Sequence, residues 1–162
     1  MGPVDSNPVR AIDVARYLVK LAIEQRVPLS NLQLQKILFF LQREWMRNTG
    51  SPLFEDDFEA WQYGPVIRAV YNVFSVFGGE KIADLDEIDY FAELYGTDSG
   101  DESRLTADQI DSIASIATIY FYIKPWDLVE MSHKEDGAWA LVYGDGSGYG
   151  RCIPKQTIID HG

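Results

Sequence analysis

The stretch SNLQLQKILFFLQREWMRNTG, residues 30–50, decides how the chain is read. Ser30 followed by Gln33 is a capping box, in which each side chain satisfies a backbone N–H that a helix start leaves free. Leu34, Ile37, Leu38, Leu41 and Trp45 then recur every three or four residues and form one apolar stripe on a helix. Asn48-Thr49-Gly50 ends it, because glycine enters the left-handed conformation at a helix C-terminus without steric cost. Lys36 and Arg43 lie seven residues apart and so share a face; such a basic pair is ordinarily solvated or paired with nearby acids.

Upstream, Asn7-Pro8 reads as a helix start, an N-cap followed by a residue preorganised for the first turn. Ile12, Ala15, Val19, Ala22 and Ile23 keep helical spacing until Pro28. The short join at Val27 to Leu29 predicts that these two helices are neighbours. Downstream, Phe58 and Ala60 alternate in a short strand that follows the acidic loop Glu55-Asp56-Asp57. Gly64-Pro65 is expected to break that strand and open a third helix with the stripe Val66, Ala69, Val70, Val73, Phe74 and Phe77, closed by Gly78-Gly79. From Lys81 to Tyr95 the apolar residues recur every third position, a period that fits neither helix nor strand. Thr106 and Gln109 form a second capping box ahead of Ile110, Ile113, Ala114, Ala117 and Phe121. Pro125 starts a short helix to about Met131, Gly144 to Gly150 is a glycine-rich connection, and Pro154 begins a last helical turn. No repeat or long linker divides residues 1–162, so the expectation is a single, mainly α (α+β) domain, a compact helical bundle with a small β element.

Composition narrows the function. The chain has 162 residues, with 25 acidic against 14 basic side chains and a net charge of −11. That charge repels phosphate, makes nucleic-acid binding unlikely and suits a basic protein partner. Eight of the acids lie between Asp84 and Glu102, where there is no base. Removing them leaves −3, so one segment carries most of the excess. Cys152 is the one cysteine, which excludes an intramolecular disulfide. Residues Met1 to Pro8 lack the basic and apolar regions of a signal peptide, and no apolar run approaches the roughly 20 residues a membrane helix needs. The expected location is the cytoplasm.

The glycine run 144–150 lacks the spacing of a phosphate-binding loop and reads as a flexible connection. His133, His161 and Cys152 have no zinc-ligand spacing, and the acidic loops do not match a calcium loop. No cofactor is implied. Ser132-His133, with Glu130 nearby, admits a hydrolase, but no nucleophile elbow is present. The plainer reading makes Ser132 a turn cap and His133 a structural hydrogen-bonding residue. Trp61, Tyr63, Trp126 and Trp139 are either core rings or an exposed anchor patch, since such rings serve both purposes.

Several of these residues carry a resemblance. Gln33 to Phe40 (QLQKILFF), Gly50 to Phe54, Phe58 to Val66 (FEAWQYGPV), and Val70-Tyr71 resemble the Panacea antitoxin family, also described as GepA-like phage-associated proteins. Trp126, Leu128, Ser132-His133 and Trp139 resemble that family's C-terminal half, so the likeness covers roughly residues 8 to 140, about one ordinary domain. Phe39 stands where the family commonly has Tyr, and the acidic segment Asp84 to Glu102 has no counterpart in the pattern. The resemblance implies a non-enzymatic bacterial antitoxin that neutralises a toxin, encoded beside it, by direct protein–protein binding. The alternative it implies is an adaptor that delivers the toxin to a cytoplasmic protease. Lys36, Trp61, Tyr63, Gly64, Pro65, Tyr71, Trp126, His133 and Trp139 are the candidate partner-binding or fold-defining residues. Within them, Gly64 is expected to adopt angles closed to other residues, Pro65 to fix the third helix, and Trp61 and Tyr63 to face one side.

Overall fold

A computed structural model of the chain describes residues 9–162. It is mainly helical with one small sheet. In chain order the helices are α1 (Ala11–Glu24), α2 (Asn31–Thr49), α3 (Arg68–Phe74), α4 (Asp86–Tyr95), α5 (Ala107–Ala117), α6 (Pro125–Ser132), α7 (Ala138–Tyr143) and α8 (Lys155–His161). The strands are β1 (Phe58–Trp61), β2 (Gly64–Val66) and β3 (Cys152–Ile153), with β1 central and antiparallel to both neighbours.

α2 is the axis of the molecule. It packs against α1, α3, α5, α6, α8 and β2, so it is enclosed on almost every side. Its start is the expected capping box, Ser30 with Gln33, and Gly50 ends it at φ 79°. Because it is enclosed, Asn31, Gln33, Gln35, Lys36 and Gln42 are buried too, and several of them bond the backbone of segments that run past the helix. Gln42 donates from Nε2 to the Phe54 carbonyl (2.7 Å) and accepts from the Leu53 N–H (2.9 Å). Gln35 donates to Asn31 and accepts from the Ile67 N–H, and Asn31 donates to the Tyr71 carbonyl. These amides take the place of water at backbone groups buried against α2. Gln42→Leu is therefore expected to destabilise the protein by about 2 kcal/mol, the cost of leaving two buried backbone groups unpaired. A urea titration monitored by circular dichroism reads that loss.

Two expectations need correction. α1 begins at Ala11 with Arg10 as N-cap, and the proposed start at Asn7-Pro8 lies outside the described residues. Gly64-Pro65 does not open a helix: Gly64, Pro65 and Val66 form β2, with Pro65 opposite Ala60, and α3 starts only at Arg68. The Ile67 N–H, bonded to Gln35 and held in extended geometry, delays the helix. The stripe beyond it is split between α3 and a 3-10 turn, Ser75–Phe77.

The acidic segment is ordered by α1. Arg16 reaches both carboxylate oxygens of Asp89 (2.6 and 2.7 Å) and one of Glu102 (2.7 Å). Arg10 pairs with Asp13 and Asp98, and Lys20 with Glu102. The undecided three-residue period resolves into two parts: Ile82 pairs with Leu29 through its backbone, and α4 buries Ile88. The hydrogen bond from Arg16 holds the Asp89 carboxyl below its ordinary value of 3.8. A carboxylate shifted this way contributes stability above its unfolded pKa and loses it as pH falls through the folded one. The tie between α1 and α4 is thus expected to weaken only below about pH 4. Arg16→Gln should remove it at neutral pH, seen as lost hydrogen-exchange protection across α4 with α2 unchanged.

Candidate functional site

The N-terminal half of α2, the turn joining β1 to β2 and the start of α6 surround a cavity of about 650 Å³. That is within the size range of ligand and peptide pockets. Its rim is aromatic: Tyr63 (49% exposed), Trp126 (60%) and Tyr149 (57%) stand in solvent, while Trp61 and Tyr71 are half-buried. The rings brace one another, Tyr63 edge-on to Trp126 at 5.4 Å and Trp61 against Tyr71 at 4.9 Å and Tyr149 at 6.2 Å. Deeper in, Asn31, Gln35, Lys36 and Val66 are buried. Lys81 stands at the edge. No Asp or Glu is among the lining residues, although acids outnumber bases in the chain.

Lys36, expected to be solvated or paired with nearby acids, is instead buried, at 0% exposed. Its ammonium donates to the Pro65 carbonyl at 2.9 Å, and among the described residues no carboxylate pairs with it. Burial lowers its pKa from the ordinary 10.5 to about 7. The enclosure of α2 causes this, because the face Lys36 occupies is covered by β2 and α6. Arg43 is the half-exposed member of the pair, lying over Phe40 and bonded to Glu44 and Tyr120.

Gly64 makes room for Lys36. At φ 110° it occupies backbone geometry that favours glycine, and a Cβ there would stand 2.7 Å from Lys36 Cε and 2.5 Å from Ser132 Oγ. Pro65 contributes no N–H and offers its carbonyl to Lys36 instead of fixing α3. Trp61 ends β1 and Tyr63 sits in the turn, so they are not two positions of one strand; the tight turn nonetheless brings both to the cavity. Glu59 is held by Arg68 and by Trp61 Nε1, and the bonding from Arg68 keeps its carboxyl below the usual range.

Behind this wall lies a second aromatic group. Trp139 Nε1 donates to the Trp61 carbonyl (2.8 Å), the His133 ring stacks on Trp139 at 3.7 Å, and the Tyr143 ring stacks on Trp139 at 4.6 Å. His133 does not make the structural hydrogen bond expected of it, since its buried Nε2 has no partner among the described residues. Burial, with Lys36 nearby, lowers its pKa below 6.5. Ser132 is buried and donates to the Val129 carbonyl at 2.7 Å, within the last turn of α6. The serine and histidine are thus neighbours in sequence that hydrogen-bond elsewhere or not at all, and neither lines the cavity.

The cavity gathers Lys36, Trp61, Tyr63, Tyr71 and Trp126; Gly64 and Pro65 support Lys36, and His133 and Trp139 form the stack behind. Sequence reasoning did not single out Asn31, Gln35, Lys81 or Tyr149. Asn31 and Gln35 carried a signal, as polar residues four apart beside Lys36 on a helix whose other face is apolar. Tyr149, a lone ring inside a glycine run, carried a weaker one.

The geometry is that of a cavity with an exposed aromatic rim on a helical body. Residues 34–140 match the family described as Antitoxin SocA-like, Panacea domain. Over 99% of this chain and 87% of the relative, the sequence is 31% identical to Antitoxin SocA of Caulobacter vibrioides (strain NA1000 / CB15N). The chain belongs to the SocA-like Panacea antitoxin family, and its function is that of an antitoxin. No solved structure matches it. Among the described residues, no helix is long and apolar enough to cross a membrane.

Proposed function

We propose that the protein neutralises a cognate toxin by binding it directly, in the cytoplasm, without catalysis of its own, and that residues 1–162 act as one binding unit. The toxin in this reading is the product of the adjacent gene. The observation that carries the reading is the near full-length likeness to an antitoxin, in a chain that also presents an exposed aromatic rim. Trp and Tyr give large contact area at low entropic cost and dominate binding hot spots.

Co-expression tests it. The neighbouring gene product alone is expected to arrest growth, and this protein is expected to restore it and to co-purify with the toxin in stable amounts. A harmless neighbour with no co-purifying protein overturns the reading. Rescue accompanied by a shortened toxin lifetime assigns the mechanism to delivery to a protease instead of blocking.

A further inference from the structure

The cavity reverses the sign of the molecule that carries it. The chain has a net charge of −11, yet the charged residues lining this cavity are Lys36 and Lys81, with no acid. The positive end of α2, a helix of 19 residues with no acid in its first turn, faces the same space through Ser30, Asn31 and Leu32. Lys36 is the group the fold least explains: buried, bonded to a carbonyl, and without a counter-charge among the described residues. A buried cation without a counterion costs stability, and an entering carboxylate supplies the missing charge where the low dielectric makes the attraction strong. The rim completes the site. Tyr63, Trp126 and Tyr149 expose more ring than a small anion would cover, which suits a length of polypeptide on either side of the charge.

We propose that this cavity docks a carboxylate-bearing segment of the toxin, in which an Asp, Glu or C-terminal carboxylate faces Lys81 at the mouth and Lys36 in the floor while neighbouring residues pack on Trp126, Tyr63 and Trp61. The inference rests on the toxin-binding reading above and adds the place and the chemistry of contact. The acidic remainder of the surface steers a basic partner at long range, and the cavity sets the register of docking by accepting one local charge of the opposite kind.

The ionisable groups around Lys36 are His133 from α6, whose pKa is lowered by burial and by Lys36 itself, and Lys81, Tyr63, Tyr71 and Tyr149 around the cavity. With no carboxylate among them, an incoming one draws a proton onto Lys36. Binding to the purified toxin is therefore expected to weaken several-fold between pH 6.5 and pH 9. In Lys36→Met that dependence is expected to flatten, and the comparison removes the toxin's own titration from the result.

The test measures affinity between the full-length protein and the purified product of the adjacent gene, by calorimetry. Trp126→Ala changes an exposed ring, and Lys81→Glu changes a side chain that also bonds Gln33 of the α2 capping box, so an unchanged circular-dichroism melting curve is required of both; each is expected to weaken binding at least tenfold. Tyr95→Ala, on the exposed face of α4, is the control and is expected to change it less than twofold. Amide variants of the toxin's Asp and Glu residues within the segment protected from hydrogen exchange, and a C-terminally amidated toxin, identify which carboxylate enters: the one that enters should lose affinity on amidation. Wild-type binding with both cavity variants within twofold overturns this inference and leaves the antitoxin reading standing, as does a full set of amide variants that bind normally. Failure of the wild type to bind the toxin overturns both.

Discussion

Lys36→Met is expected to stabilise the protein near pH 7 and to remove most of the rise in stability that the wild type shows on going to alkaline pH. The unfolded chain holds a proton on Lys36 up to its ordinary pKa of 10.5, whereas the folded chain releases it near 7. Between these values the unfolded state binds more protons, so stability increases with pH across that window; below 7 the penalty is complete and constant. Its size is on the order of 5 kcal/mol at its upper limit, since each tenfold in proton affinity corresponds to about 1.4 kcal/mol. Met fills most of the volume of the lysine stem, and its cost is the Pro65 carbonyl left without a donor, about 1–3 kcal/mol. The balance favours Met at pH 7 by about 2 kcal/mol and turns against it near pH 10. Urea midpoints at pH 7, 8, 9 and 10 for both proteins check this. A wild-type curve parallel to that of Lys36→Met would show that Lys36 stays charged in the fold. A residue that lowers stability yet sits in the floor of the aromatic cavity is one that a binding role explains better than a folding role.

Gly64→Ala is expected to be the most damaging single substitution in the site, lowering stability by about 4 kcal/mol. Two independent costs add. At φ 110° an alanine is strained, and its Cβ would stand 2.5 Å from Ser132 Oγ and 2.7 Å from Lys36 Cε. Either neighbour can retreat only by giving up a hydrogen bond, Ser132 to the Val129 carbonyl and Lys36 to the Pro65 carbonyl. The melting temperature is expected to fall by about 10 °C for a chain of this size. Adding Ser132→Ala to this background should recover part of the loss, since it removes the closer contact and leaves the backbone strain. Full recovery would place the whole cost in the Ser132 contact, and no recovery would place it in the backbone and the Lys36 contact.

The two predictions meet at one construction. Lys36 on α2, Gly64 and Pro65 on β2 and Ser132 on α6 come from distant parts of the chain and share a few ångströms of interior. Trp139 on α7 adds a bond to the Trp61 carbonyl, which fixes the outer wall. The cavity is therefore rigid at its base and exposed at its rim, the distribution expected of a preorganised recognition site. Its separation from the paired arginines and acids of α1 and α4 means that Arg16→Gln tests the stability of another region without touching the cavity.

What was legible in the sequence was local. The capping boxes at Ser30 and Thr106, the glycine stop at Gly50 and the strand at Phe58 depend on neighbours within four residues and appear as read. The EAWQYGPV run also gave the family, because its glycine, proline and rings are an unusual local combination. The short helix α7 and the two-residue strand β3 were not anticipated; each is too brief for a periodic signal and exists through partners elsewhere, Trp61 for α7 and Phe58 and Glu59 for β3.

The capped helix starts at Ser30 and Thr106, the apolar stripe of α2 and the excess of acid were thus determined by the sequence on its own, since they follow from side-chain size, charge and short-range hydrogen bonding. Tertiary structure alone decided that Lys36 is buried, that Gly64 and Pro65 belong to a strand, and that five rings from distant segments surround one basic cavity. The physical reason is that burial is a property of what covers a residue: an amphipathic pattern shows which face of α2 turns inward, but not that β2 and α6 close over the other.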